Sequence, residues 1–140
     1  MIQIPTDISS WPPHEAQEWL MDQGSDEDVT DAELESAHQI VRGMLHGRTQ
    51  QWAYLVERTD TRAESDRRAL RYGIRELAEG WDLSRFACRL ASETRVEHPY
   101  GHPVRVHLWR HVSGQLHPSV RRGTPPANAK TYVNPDIFDS

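Results

Sequence analysis

The chain has 140 residues, a mass of 16.2 kDa and a formal net charge of -5, a size that fits one domain core with trimmings. Its one cysteine, Cys88, excludes an internal disulfide framework and a cysteine-type zinc site, which fits a reducing compartment. No window approaches the roughly 18 apolar residues of a membrane span, and the start Met1-Ile-Gln-Ile-Pro lacks the basic and apolar regions of a secretory signal, so a cytoplasmic protein without a membrane partner is expected.

In chain order, Ser10 followed by Pro12 and Pro13 suits a first helical turn, and Trp19 and Leu20 continue the helix until Gly24 stops it. After an acidic linker, Thr30 as N-cap and Glu33 form a capping box, with Val29 and Leu34 as a hydrophobic staple. The spacing predicts a second helix over 31–46 with Leu34, Ala37, Val41, Met44 and Leu45 on one face, ended by Gly47. Trp52 to Arg58 is aromatic and β-branched and predicts a strand.

A second capping box, Thr61 with Glu64, predicts a third helix over 62–79 whose stripe is Ala63, Leu70, Gly73, Ile74, Leu77 and Ala78. Leu83, Phe86, Ala87 and Leu90 predict a short fourth helix ending near Ser92, with Ser84, Arg85, Cys88, Arg89 and Ser92 facing outward. Thr94 to His98 and Pro103 to Val112 flank the turn-rich Pro99-Tyr-Gly-His102, which predicts a β-hairpin. In its second strand Val104, Val106, Leu108 and Val112 alternate with Arg105, His107, Trp109 and His111. Beyond Gly114 no periodicity is visible.

The expected organisation is therefore an acidic N-terminal arm with a short helix over 1–28, a single α+β domain over 29–114 and an extended C-terminal tail over 115–140. The fold class is α+β, a helical N-terminal half with a C-terminal β-hairpin. From Asp31 the order helix, strand, helix, short helix, strand, turn, strand resembles that of a winged helix-turn-helix, in topology alone and without a family motif.

Charge is divided by position. Met1 to Thr61 holds 12 Asp or Glu against 3 Arg, whereas Arg62 to Arg122 holds 12 Arg against 7 acids. Such asymmetry points to a polyanion contact. The resemblance implies that the short fourth helix enters the major groove of double-stranded DNA, where Arg85 and Arg89 read bases with Ser84 beside them. Arg67, Arg68, Arg71 and Arg75, a row on the third helix, would meet phosphates. Tyr100 and His102 at the hairpin tip would form the wing, with Arg105 in the following strand as a further DNA contact.

Each feature has a plainer reading. The arginine row suits a solvated face paired with Asp66, Glu76 and Glu79, and the acidic run Asp26, Glu27 and Asp28 could cover Arg85 and Arg89. Trp11, Trp19 and Trp109 suit a protein partner or homo-oligomer, as in an inhibitor, an immunity-type protein or an assembly subunit. His98, His102, His107, His111 and His117 fall within twenty residues, but they lack the paired spacing and carboxylate or thiolate support of a zinc site, so neither metal nor cofactor is expected. No catalytic motif is present. A small nuclease using His107, His111 and Arg105 needs no motif and is the second alternative to a non-enzymatic DNA-binding regulator.

Overall fold

The computed structural model describes residues 3–24, 26–59, 69–99 and 103–135. After a 3-10 turn at Ile8–Ser10 come α1 (Pro13–Gly24), α2 (Asp31–Leu45), β1 (Thr49–Arg58), β2 (Ala69–Ala78), α3 (Leu83–Glu97), β3 (Val104–Arg110), α4 (Pro118–Arg121) and β4 (Lys130–Val133). The strands form one antiparallel sheet in the order β2, β1, β3, β4, so the fold is α+β.

The chain divides into two compact units, Met1–Gln50 with Leu77–Trp81, and Gln51–Glu76 with Asp82–Ser140. In the first, the Thr30 hydroxyl accepts from the Glu33 amide and the Glu33 carboxylate from the Thr30 amide, the capping box that starts α2. One face of α1 and one of α2 meet through Ile8, Ala16, Leu20, Ala37 and Val41. Trp11, Trp19, Leu34, Met44 and Leu45 pack against that cluster. The Gln17 side-chain oxygen accepts from the Ala78 amide at 2.9 Å and from the Trp81 indole at 2.6 Å, tying α1 to the 77–81 segment.

In the second unit the sheet has two differently used faces. Directly opposed residues point the same way in an antiparallel pair, so Tyr54, Val56, Val104, Val106 and Leu108 share one face. This face lies against α3: Arg75 stands over both the Tyr54 ring and the Phe86 ring of the helix. Phe86, Ala87, Leu90, Ala91 and Thr94 are the buried side of α3, repeating at helical spacing. The other face carries Ala53, Leu55, Glu57, Arg105, His107, Trp109 and Thr131. At one end Leu116, Val120 and Ala129 cover Ala53 and Trp109.

Several expectations need correction. Residues 69–78, expected as the end of a helix over 62–79, are strand β2. The fourth helix does not stop near Ser92 but continues to Glu97, absorbing the expected strand over 94–98. No hairpin therefore joins 94–98 to 103–112; β3 pairs with β1 and β4 instead. The alternation along β3 does not separate a buried face from an exposed one, since His107 and Trp109 are buried as well as Val104, Val106 and Leu108. The stretch expected as an extended tail contributes α4, the buried Val120 and strand β4, because β3 offers a second edge to pair with. The Thr61 and Glu64 capping box lies outside the described residues.

Candidate functional site

Arg71 and Arg75 do share a face, as the sequence suggested, but it is a face of a strand. Both guanidinium groups stack over the Tyr54 ring, 5.9 and 5.7 Å from its centroid. Gly73 between them permits this, since a Cβ there would stand 2.8 Å from the Tyr54 hydroxyl. Glu93 of α3 accepts from Arg71 Nη1, and Arg75 Nη2 lies 3.4 Å from the same carboxylate oxygen. Glu97 adds a second carboxylate 3.9 Å from Arg71. Partial burial lowers the pKa of Arg71, and the hydrogen bond and charge of Glu93 outweigh it to raise the net value. Both arginines are thus engaged inside the unit. Arg67, Arg68, Tyr100 and His102 lie outside the described residues.

On α3, Arg85 is exposed on the side turned from the sheet, as expected, whereas Arg89 is half-buried and its Nε is shielded from solvent. Ser84 has another task. Its amide and hydroxyl donate to Asp82 Oδ1 at 2.9 and 2.7 Å, making Asp82 the N-cap of the helix. These bonds from Ser84 hold the Asp82 carboxyl below the ordinary carboxylate range. At the far end Arg95 donates to the Asn134 side chain at 2.9 Å and the Pro135 carbonyl at 3.2 Å, holding the segment after β4.

The opposite sheet face holds a polar network spread over three strands. His107 Nε2 is 3.0 Å from Glu57 Oε1, and His107 Nδ1 is 2.8 Å from Thr131 Oγ1. Arg105 Nη1 lies 3.4 Å from the same Glu57 oxygen. His107 and Glu57 are only 3% and 5% exposed, whereas Thr131 is on the surface of edge strand β4. A carboxylate oxygen can only accept, so Nε2 carries the ring hydrogen and Nδ1 presents its lone pair to the threonine hydroxyl. Sequence reading singled out His107 and Arg105 but neither Glu57 nor Thr131, which lie 50 and 24 residues from the histidine.

The remaining candidates disperse. His111 and His117 line a cavity of about 300 Å³ with Trp109, Leu116 and Ser119, apart from the His107 network. The His117 ring accepts from the Ser119 amide and caps α4. Trp109 is core on the sheet, and Trp11 lines a second cavity of about 390 Å³ with Met44, His46 and Arg48. Among the described residues no three of His, Cys, Asp and Glu converge on a point that could hold a metal ion. No described helix is long and apolar enough to cross a membrane. The chain matches no family model, and no curated protein or solved structure matches it significantly. Charge follows the two units closely: the first holds 11 Asp or Glu against Arg42 and Arg48, the second 14 Arg or Lys against 10 acids.

Proposed function

We propose that the second unit is a binding module for double-stranded DNA, acting through the outward side of α3. The observation that carries this reading is the division of charge by compact unit, which leaves a net-basic body inside a net-acidic chain. Arg85 and Arg89, one turn apart on the outward side of α3, are the contacts toward base edges or phosphates. Arg71 and Arg75 enter as groups that build the unit, because Glu93 and Glu97 already neutralise them. No winged arrangement is required, since a helix laid on a sheet can present its outward side alone. Arg105 is set aside from the DNA surface for the same reason as Arg71, its guanidinium being turned to Glu57.

Titration of the full chain with a mixed-sequence duplex at low ionic strength tests the reading, with saturable binding expected. An absence of binding at about 50 mM salt, where phosphate contacts are strongest, rejects it.

A protein partner is the second reading, favoured by edge strand β2. Tyr72 and Ile74 alternate with the arginines there and remain 42% and 41% exposed at a boundary of the sheet. Pairing of that edge with another strand would cover them. An oligomer or hetero-complex dispersed by Tyr72→Lys would support this reading over the first.

A further inference from the structure

We propose that Thr131 is a nucleophile for acyl transfer from small carboxylic esters, with His107 as its general base and Glu57 as the positioning residue. This site lies on the sheet face opposite α3 and is independent of the DNA reading. Thr131 and His107 are directly opposed across β3 and β4, so their side chains rise from the same face, and the 2.8 Å contact joins the hydroxyl to Nδ1. Glu57, diagonal to His107 across β1 and β3, holds Nε2 at 3.0 Å and fixes the tautomer that leaves Nδ1 basic. A nucleophile, a base and a group that orients the base are the three roles of a hydrolytic relay, which is recognised by geometry and not by sequence position.

Burial separates these roles as the chemistry requires. The imidazole and carboxylate are shielded from water, which keeps their orientation fixed, while the threonine they serve is a surface residue of β4. Val133, two residues along on the same face and 69% exposed, offers an apolar surface for a small acyl chain. Arg105 is opposed to Val133 and therefore diagonal to Thr131, with its side chain 43% exposed. A diagonal spacing of roughly 7–8 Å is within reach of a long side chain. The Arg105 Nη1, however, is held 3.4 Å from Glu57 Oε1, where it steadies the carboxylate that orients His107.

The step balances with water as the only co-reactant. Thr131 Oγ bonds to the ester carbonyl carbon while its proton passes to His107 Nδ1. The bond from that carbon to the alcohol oxygen breaks, and the alcohol leaves with the proton from Nδ1. Water then attacks the acyl-threonine ester, delivering a proton to Nδ1, which returns it to the threonine oxygen as the carboxylic acid departs. A phosphonofluoridate probe stops at the first stage, because the phosphorus ester formed with release of fluoride is not readily hydrolysed.

The test uses the full chain, p-nitrophenyl acetate and a fluorophosphonate. We expect a stoichiometric adduct that peptide mass spectrometry maps to Thr131 of the wild type, a result that does not depend on any variant folding. Ester hydrolysis should fall roughly 100-fold in Thr131→Val, the scale of a lost base-assisted step, and be retained in Thr131→Ser. Glu57→Gln should lower kcat with KM unchanged, and Glu57→Asp should restore part of it, a split that loss of packing alone would not produce. An unlabelled Thr131 in wild-type protein, or equal hydrolysis by wild type and Thr131→Val, overturns the proposal and leaves the network as a cross-strand clasp.

Discussion

Glu93 on α3 accepts a hydrogen bond from Arg71 on β2, so one carboxylate fastens the helix to an edge strand of the sheet. The same oxygen lies within reach of Arg75, which makes Glu93 the acid shared by Arg71 and Arg75. Glu93→Gln should therefore have two effects of opposite sense. Stability measured by urea unfolding should fall by about 0.5–1 kcal/mol, the scale of a partly exposed pair in a small network. Duplex affinity at low salt should rise, since removing a carboxylate uncovers positive charge. A variant that loses stability without gaining affinity would show that the charge of the unit does not govern duplex binding.

Gly73 is the position at which the Tyr54 ring approaches the backbone of β2. A Cβ there meets the ring hydroxyl at 2.8 Å and the adjacent ring carbon at 3.1 Å, and Tyr54 is buried with little room to move. Gly73→Ala should cost about 1–3 kcal/mol by overpacking. In the background of Tyr54→Leu the same change should cost much less, a coupling that a double-mutant cycle reads directly.

Asp82 caps α3 through Ser84, and Asp82→Ala should lower stability by about 1 kcal/mol. The pH dependence has a defined sign. Because the folded carboxyl is held below its ordinary range, the stabilisation from its ionised form is present above the unfolded pKa and is lost as the pH falls through the folded one. The difference between wild type and Asp82→Ala should accordingly shrink on acidification below the ordinary carboxylate range. A difference that grew in acid would contradict the assignment of the cap.

The parts of the fold legible in the sequence were those written locally. Thr30 and Glu33 announce α2 within four residues, and their reciprocal bonds form as the spacing requires. The 69–78 segment misleads for a specific reason: arginines four apart satisfy both the 3.6-residue helix period and the two-residue strand period. Leu, Arg, Glu and Ala there favour helix intrinsically, and pairing with β1 overrides them. Thr94 and Val96 suggested a strand, but Thr94 falls one turn beyond Leu90 on the buried side of α3 and bonds its carbonyl at 2.7 Å. In the polar network only His107 and Arg105 stood out, because the partners that give the histidine its geometry arrive from β1 and β4. No periodicity within β3 encodes them. Trp11 and Trp19 suit docking anchors by residue type, and the structure packs both against the α1 and α2 core.

Whether α3 meets DNA is measured most directly by the salt dependence of binding. Duplex affinity of the wild type should fall linearly with salt on logarithmic axes, and the Arg85→Ala, Arg89→Ala double variant should flatten that slope by about one to two units. Both proteins should show the same circular dichroism and melting behaviour. Duplex binding with an identical slope in wild type and variant, or no duplex binding by the wild type at low salt, would contradict it.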